Sequence, residues 1–548
     1  LFAVLVLMVC IVLVFALLVD DREADVSDML RGWGDAQFNW AVVTAVFCCF
    51  SLYTFFSPLS SSSSCYRNFR DGFLCLSLPL GFLATVMLLA HLLCAIAPTH
   101  LHKSTTPPHV AVVGAGWAGW GAAKALVENG VRVTLLDAMP DPTGKTPYTT
   151  PSGKPFEAGT RGFWFDYPNI NRIVSEDLGR DESDVFTDFT NSSFYSPDGL
   201  EATAPVFSSG VDLFGARLPE LPSPLGQVLA TVELFERIPI ADRASMVGLL
   251  YATLDFTRDA KTFEAYDRMN AHDLFVKMGL SKRLVDDFIR PTLLVGLFKP
   301  PEELSAAVTM ELLYYYALAH STSFDVRWIK SRSIAELIIA PLAQRLADYT
   351  LPAEAAPSSP LESDEPVAAE IAEPALTVLG GSFVQKLDME GGRVSALEYR
   401  DSQSGEVRRL DDLTGCVLAL GATGMKAVVG GSSALARSAP ELCAAASLDS
   451  IDVIAVRLWL DTTVATRTPA NVFSRFPALR GAGGTFFMLD QLQGNDAELW
   501  GGEEPQGSVV ACDFYNAGAL LPLSNDDVVE LLTKTLLPAA VPGFRCAT

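Results

Sequence analysis

The fold of this chain is decided by residues 110–138, VAVVGAGWAGWGAAKALVENGVRVTLLDA. An apolar run of strand type ends at Gly114, residues 117–129 have the 3.6-residue period of a helix, and a second apolar run covers 131–136. This order predicts the strand, helix and strand that open a Rossmann-type nucleotide-binding fold.

The glycines of this stretch have the spacing GxGxxG, and each has a physical role. Gly114 permits a tight turn, Gly116 lets the backbone approach a pyrophosphate at the helix N-terminus, and Gly119 lets the helix pack closely on the strand. Asp137 ends the second strand and can accept hydrogen bonds from ribose hydroxyls. The pattern predicts a dinucleotide site, and the alternative is a glycine-rich turn that binds no ligand.

Three apolar segments precede this unit, and they raise the mean hydropathy of the chain to +0.27. Residues 1–19 carry no charge, and 38–56 and 73–97 are similarly apolar. Each has about the 20 residues that a helix needs to cross a bilayer. We therefore predict three transmembrane helices, a polar linker at 98–108 and a multi-pass membrane location.

The charge and the cysteines exclude several functions. The formal net charge is −24, and most of the acidic excess follows residue 100, so the chain should repel nucleic acid. The ten cysteines include no CxxC pair. A metal site and a disulfide framework are therefore not expected.

The remainder of the chain alternates between β and helical patterns. Helical periods dominate 181–350, and 351–375 is a Pro-, Ala- and Glu-rich stretch that we interpret as a solvated insertion. Strand patterns return after it. We predict a nucleotide-binding domain built from 109–180 and 376–450, a helical cap inserted between them, and a substrate-domain sheet in 451–548.

The glycine motif is followed by FEAGTRGFWFDYPNINRI at 156–173. With it the chain resembles the plant and cyanobacterial carotene desaturases, the phytoene and ζ-carotene desaturases of the flavin-containing amine oxidoreductase superfamily. The resemblance continues in RLVDDFIRPTLLVGLFKPPEELS (283–305), VRWIKSRSIAELIIAPL (326–342), VLALGATG (417–424) and DFYNAGALLPLS (513–524).

The resemblance implies FAD as the cofactor and a fold class of α/β type, in which a Rossmann-type FAD-binding domain carries an inserted, mostly helical substrate domain. The apolar segments add three transmembrane helices in front of this fold. It places Glu157 and Gly159 beside the flavin and the Val384 backbone at the adenine, and Arg283 matches an arginine of the desaturase active site. The expected cofactor-binding residues are Gly114, Gly116, Trp117, Ala118, Gly119, Asp137, Ala138, Gly144, Lys145, Glu157, Gly159, Val384, Ala422 and Gly424.

The chain also departs from the family pattern. An arginine and a glycine of the family's phosphate-contacting loop fall on Met139 and Thr143, which leaves Gly144 and Lys145 of that loop, and a family histidine is Arg161. The family's C-terminal flavin-clamping Gly-Asp motif does not occur before residue 548. The open alternatives are a motif beyond this residue and a flavin that is weakened or lost.

These features predict a membrane-anchored oxidoreductase that transfers hydride from a polyene or other lipid to flavin. Carotenoids are insoluble in water, so we expect an apolar substrate tunnel and the lipid bilayer as a partner. The resemblance implies a quinone as electron acceptor and a plastid membrane location. Two alternatives stay open. One is a non-catalytic subunit of a photosynthetic membrane complex, and the other is a carotenoid isomerase.

Overall fold

The computed structural model describes residues 107–145, 148–164, 167–204, 212–213, 216–217, 234–314, 326–330, 333–351 and 373–547. All of them belong to the second of two units of the chain, Thr105–Thr548.

The strands in chain order are β1 (His109–Val113), β2 (Arg132–Leu136), β3 (Tyr148–Thr149), β4 (Pro155–Phe156), β5 (Gly162–Trp164), β6 (Ser192–Ser196), β7 (Gly199–Ala204), β8 (Asp212–Leu213), β9 (Ala216–Arg217), β10 (Val326–Trp328), β11 (Leu376–Leu379), β12 (Ser382–Glu390), β13 (Arg393–Asp401), β14 (Val407–Leu410), β15 (Gly415–Leu418), β16 (Val453–Trp459), β17 (Ala470–Phe473), β18 (Gly483–Met488) and β19 (Val509–Tyr515).

The α-helices are α1 (Trp117–Glu128), α2 (Pro168–Arg172), α3 (Glu182–Val185), α4 (Ile240–Ala244), α5 (Met246–Asp255), α6 (Ala260–Asp267), α7 (Ala271–Lys277), α8 (Lys282–Leu284), α9 (Arg290–Gly296), α10 (Ala306–Tyr314), α11 (Ala340–Ala347), α12 (Ala422–Gly431), α13 (Ser433–Ser438), α14 (Pro440–Ala446), α15 (Leu489–Leu492), α16 (Asn525–Glu530) and α17 (Leu537–Ala540). Wider turns of π type occur at Ile173–Asp177, Val285–Ile289, Ala335–Ile339 and Leu531–Leu536, and 3₁₀ turns at Pro477–Leu479, Ala517–Ala519 and Pro542–Cys546.

Four parallel strands form the nucleotide-binding sheet in the order β11-β2-β1-β15. The central strand β1 pairs on both sides, with Val112 opposite Leu135 of β2 and opposite Val417 of β15. Two strands thus come from the start of the described chain and two from beyond residue 375. The Rossmann-type α/β part of the predicted fold class is supported by this sheet.

Both faces of the parallel sheet are buried, which explains why its strands are apolar at successive positions. On one face, Trp120 and Val127 of α1 pack with Leu342 of α11. On the other face, Val384 and Leu397 of the antiparallel β12-β13-β14 sheet pack against β1 and β2. The helices α1 and α12 begin after the carboxyl ends of the neighbouring strands β1 and β15.

A second, six-stranded sheet has the order β16-β19-β18-β17-β6-β7. Its neighbours are antiparallel except β17 and β6, which are parallel. One face is closed by a large apolar group that includes Phe486, Phe514 and Leu536. The other face points towards the segment that follows β4.

Two strands of this sheet, β6 and β7, come from the region predicted as a helical cap. Helices do dominate from Ile240 to Tyr314, but residues 192–204 form a hairpin that extends the sheet. Its strands SSFYS and GLEATA carry few of the apolar alternations that mark a strand. The turn residues Pro197, Asp198 and Gly199 were the available signal. The exact boundaries of the domains remain predictions.

The predicted membrane helices require a correction. The longest α-helix of the described residues is α1, whose 12 residues span about 18 Å, whereas a bilayer core is about 30 Å thick. Within the described ranges no helix combines the length and the apolarity needed to cross a membrane. The spans predicted at 1–19, 38–56 and 73–97 lie outside those ranges. The fold class is therefore corrected: the described residues form a Rossmann-type α/β fold and contain no transmembrane helix, so they give no support to the multi-pass membrane localisation either.

Candidate functional site

The three glycines of the GxGxxG motif meet different surroundings. Gly114 has φ +102°, and a Cβ there would lie 2.3 Å from the carbonyl oxygen of Ala419. A Cβ on Gly119 would lie 1.8 Å from the Gly114 carbonyl oxygen. A Cβ on Gly116 would meet no atom within 4 Å. Gly114 and Gly119 are therefore needed for packing, whereas Gly116 borders open space.

Helix α1 begins at this open space. Gly116 is its N-cap, no side chain caps the helix within the described residues, and its first turn contains no acidic residue. The amide of Trp120 donates to the Gly116 carbonyl, so the amides of Trp117, Ala118 and Gly119 precede the first intrahelical bond. Uncapped amides at the positive end of a helix form an anion site. The arrangement fits the diphosphate of a dinucleotide.

Asp137 connects the glycine loop to the end of β2. Its Oδ2 accepts a hydrogen bond from the Ala115 amide at 2.7 Å, and its Oδ1 accepts one from the Met139 amide at 2.8 Å. Each carboxylate oxygen keeps a further lone pair for a ribose hydroxyl. Ala138, the next residue, is exposed at the same edge.

The later cofactor residues lie around β12 and α12. Val384 is buried in the layer that covers β1 and β2. Ala422 and Gly424 form the first turn of α12, whose N-cap is Gly421. This helix also starts without a side-chain cap, next to α1 along the carboxyl edge of the sheet. Two helix N-termini therefore meet where the dinucleotide is expected.

Gly144 and Lys145 form a turn beside α11. The Gly144 amide donates to the carbonyl of Asp141 at 3.1 Å, and the Lys145 amide donates to Thr143 Oγ1 at 3.2 Å. Lys145 borders a 470 Å³ groove together with α11. This turn borders α11 through Lys145, and its Pro142 carbonyl accepts a hydrogen bond from Trp120 Nε1 at the start of α1 at 3.2 Å. A phosphate role for Gly144 and Lys145 stays a prediction.

Glu157 and Gly159 lie against the open face of the six-stranded sheet. A Cβ on Gly159 would stand 4.0 Å from both carboxylate oxygens of Asp513 on β19. The amide of Thr160 donates to Asp513 Oδ2 at 3.1 Å. Arg457 on β16 reaches the same segment, where its Nη1 donates to the carbonyl of Pro155 at 3.3 Å. The structure thus brings one predicted residue pair together with two ionisable residues that were not predicted.

Burial is the largest influence on the pKa values of Glu157, Asp513 and Arg457. It raises the pKa of the Glu157 carboxyl, against the opposing effect of Arg161 and Arg457. Burial likewise raises the pKa of Asp513, while the Thr160 amide, Arg161 and Arg457 act to lower it. Burial lowers the pKa of Arg457. A perturbed carboxyl in such a place is typical of a functional site.

Sequence reasoning missed Arg457 and Asp513, although a signal was present. Each is a single charge inside an otherwise apolar strand, VIAVRLWL and VVACDFY. A charged residue in a buried strand is expensive unless it is paired or functional. Which residues contact such a charge depends on the tertiary structure.

Arg283, the predicted active-site arginine, has a different environment. Its guanidinium pairs with the fully buried carboxylates of Asp287 and of Glu201, the latter at 3.1 Å. Arg475 joins the same group through Asp287 at 2.6 Å. These contacts are with β7, the Val285–Ile289 turn and the end of β17. They give Arg283 a structural role, and a catalytic one stays a prediction.

Arg475 also borders a groove of about 670 Å³ at the ends of β17 and β19. Its lining mixes both charges, among them Arg290, Glu302 and Asp452. Such a lining suits a polar ligand better than a hydrocarbon. It is not the apolar tunnel that the resemblance led us to expect.

Comparison with known proteins agrees with the geometry. The family model of the NAD(P)-binding Rossmann-like domain matches residues 112–176. A carotenoid phi-ring synthase of Chlorobaculum tepidum is 25% identical over 316 residues, which are 56% of this chain and 42% of the relative. The 15-cis-phytoene desaturase of Solanum lycopersicum is 28% identical over 203 residues, which are 36% of this chain and 32% of the relative. The chain spans less than half the length of these relatives.

Among solved structures, a putrescine oxidase bound to putrescine superposes with a TM-score of 0.51 at 13% identity and covers 80% of this chain and 83% of its own. At that identity the likeness concerns the fold alone. The relatives confirm the resemblance to the carotene desaturases, and they support the expected FAD cofactor and oxidoreductase class.

Proposed function

We propose that this chain is an FAD-dependent oxidoreductase of the carotene desaturase type, which removes a hydride and a proton from neighbouring carbons of a polyene. The support comes from the glycine cradle and from the named relatives, two of which act on carotenoids or phytoene by their names. Bound FAD would supply the hydride acceptor. The protein's task is to hold the cofactor, orient the substrate and exclude water.

The observation that carries this proposal is the open space at Gly116. The first amides of α1 would hold the diphosphate, and Asp137 would accept hydrogen bonds from the ribose. The backbone of Val384 would meet the adenine, and Glu157 would lie beside the flavin ring. A Cβ at Gly116 has room in the protein alone, so a side chain there would occupy only the ligand's place.

The test is the substitution Gly116→Val with Gly121→Val as its matched control. Both glycines are exposed, lie at or in α1, and have no atom within 4 Å of an added Cβ. We expect Gly116→Val to fold and to lose FAD, and Gly121→Val to fold and to retain it. Flavin absorbance per protein and circular dichroism measure the two properties. Equal flavin retention in both variants would refute the assigned cradle.

The substrate and the electron acceptor form the finer part of the proposal. Holoprotein incubated with 15-cis-phytoene and a quinone should yield longer conjugated polyenes, followed by absorbance. Because one relative is named a carotenoid phi-ring synthase, carotenoids with end rings belong in the same assay. A change of cis–trans geometry without new double bonds would indicate an isomerase. Folded protein that takes up no flavin would favour a non-catalytic subunit.

A further inference from the structure

Asp513 occupies an unusual position for a carboxylate. It lies on β19, the strand next to the edge strand β16 of the six-stranded sheet, and is 3% exposed. The pairing register places Ala455 of β16 and Thr485 of β18 directly beside it. Further along β19, Tyr515 stacks on Phe298 with ring centres 4.6 Å apart. A carboxylate in such a place loses most of its hydration.

The two oxygens of the Asp513 carboxylate differ in their hydrogen bonds. Oδ2 accepts the Thr160 amide at 3.1 Å, whereas Oδ1 has no hydrogen-bond donor among the described residues. Two further polar atoms at this junction are buried without a hydrogen-bond partner, namely Arg457 Nε and Thr160 Oγ1. Buried polar atoms without partners are rare in folded proteins and mark places where a ligand or water completes the site.

The charged groups that act on Asp513 come from two of the elements around it, whereas β18 contributes the uncharged Thr485. Arg161 belongs to the segment after β4, and Arg457 to β16. Glu157 interacts with Arg457 in turn, and Tyr515 lies two residues further along β19. The two arginines favour the ionised carboxylate, whereas burial opposes it. A carboxyl with opposing influences of this kind is suited to gain and lose a proton during a reaction.

We propose that Asp513 accepts the substrate proton in the dehydrogenation, with the Thr160 amide and Arg457 as positioning groups. The proposal rests on the proposed function. It adds a named base to a reaction for which the sequence offered no acid or base. The segment expected beside the flavin, Glu157 to Gly159, is the one that contacts Asp513, so the carboxylate lies where substrate and cofactor would meet.

The proposed step removes a hydride and a proton from two neighbouring carbons. On one carbon of the polyene the C–H bond breaks with its electron pair, which leaves as hydride to the oxidised flavin. On the neighbouring carbon the C–H bond breaks, its pair forms the new π bond, and the proton passes to Asp513 Oδ1. The substrate is oxidised by two electrons and the flavin is reduced by two.

The experiment compares the full-chain holoprotein with Asp513→Asn and with Asp490→Asn as matched control. Asp490 is also a carboxyl whose pKa burial raises, and it accepts hydrogen bonds from Ser508 Oγ and the Val509 amide. The described contacts of Asp490 do not include the segment after β4. Both variants should retain flavin. Asp513→Asn should slow flavin reduction by 15-cis-phytoene roughly 100-fold and abolish the acidic limb of the pH profile, whereas Asp490→Asn should do neither.

A second measurement needs no turnover. The absorption spectrum of the bound flavin should change as Asp513 ionises, so a pH titration should give a spectral transition in wild type and in Asp490→Asn that Asp513→Asn lacks. If Asp513→Asn does not fold, Arg457→Gln serves instead. Loss of the positive charge should move the transition to higher pH, because Arg457 lowers the pKa of Asp513.

The outcomes separate the two proposals. Protein that binds no flavin overturns the proposed function, and this inference with it. Flavin-bound protein in which Asp513→Asn keeps the transition and reduces flavin within about threefold of wild type overturns the role of Asp513 alone. An unmoved transition in Arg457→Gln has the same consequence.

Discussion

At the scale of single residues, Gly119 has the closest approach in the cofactor cradle, because a Cβ there would lie 1.8 Å from the Gly114 carbonyl oxygen. Replacing a helical glycine by alanine usually stabilises a protein by about 1 kcal/mol. Here the added carbon meets backbone, which cannot move aside without disturbing β1. The same substitution should therefore have opposite signs at two positions of one helix.

We expect Gly119→Ala to destabilise the protein by about 3 kcal/mol through this clash. Gly121→Ala, which meets no atom within 4 Å, should be neutral or stabilising by up to about 1 kcal/mol. Denaturant unfolding followed by circular dichroism measures both. If the two variants unfold at the same midpoint, α1 does not pack on β1 as described.

The burial of Asp513 also predicts how the stability of the protein depends on pH. Burial raises its folded pKa above the ordinary value of 3.8, so the folded state binds the proton more tightly than the unfolded state does. Asp513 therefore weakens stability as the pH rises from about 4 through the raised pKa, and it has no such effect at lower pH.

Asp513→Asn removes this contribution. Relative to wild type, the variant should gain stability between acidic and neutral pH, and the two should differ least near pH 4. Other carboxyls act equally in both proteins and cancel in the difference. Unfolding midpoints at several pH values test this, and a difference that shrinks with rising pH would contradict the buried, raised carboxyl.

At the scale of elements, the ion-pair group around Arg283 joins β7, the Val285–Ile289 turn and the end of β17. Glu201 and Asp287 are fully buried, and Arg283 keeps 35% of its side chain exposed. Removing one arginine leaves buried carboxylates short of a partner, although Arg475 stays with both. The expected loss of stability comes from buried carboxylates that lack a counter-charge, and not from the loss of a catalytic group.

We expect Arg283→Met to destabilise the protein by about 2 kcal/mol, since breaking a buried pair costs about 3–5 kcal/mol and Arg475 compensates in part. Arg258→Met is the control, because Arg258 pairs with Glu311 on the surface and should cost less than about 1 kcal/mol. Thermal unfolding measures the difference. An unchanged midpoint for Arg283→Met together with lost phytoene turnover would instead favour the active-site role that the resemblance implied.

At the scale of the whole molecule, the chain leaves the nucleotide-binding sheet and returns to it. The return begins where Leu351 donates its amide to the Glu373 carbonyl at 3.0 Å and Ala375 donates to Tyr349 at 2.9 Å. The ends of the segment predicted as a solvated insertion are therefore antiparallel neighbours. β11 follows at once and joins β2.

This geometry predicts that residues 352–372 can be replaced by a two- to four-residue turn such as Asn-Gly. The shorter connection lowers the entropic free-energy cost of closing the loop by about 1.7 kcal/mol. The thermal midpoint should therefore be equal or higher. Flavin content should not change. A replacement by a Gly/Ser linker of the original length is the control, and a lower midpoint for the short turn alone would mean that the two ends are held differently.

The sequence by itself determined the nucleotide-binding start of this fold and the glycines of its cradle. A strand, a tight turn and a helix follow from apolar period and from backbone sterics, which act over a few residues. The resemblance then supplied the order of the later segments and the FAD expectation. It did not supply the ion pairs of Arg283 with Glu201 and Asp287 or the contact between Asp513 and Thr160.

Only the tertiary structure decided which charges meet at the site. Asp513 contacts Thr160 across 353 positions of the chain, and β6 pairs with β17, where Ser192 lies opposite Ala470. A period of two tells which strand residues share a face, but it does not tell which segment covers that face. Burial and ion pairing depend on that cover, because a charge is stabilised or penalised by whatever replaces its water. The residues that surround Asp513, on which its proposed role as a base depends, were therefore identified only from the tertiary structure.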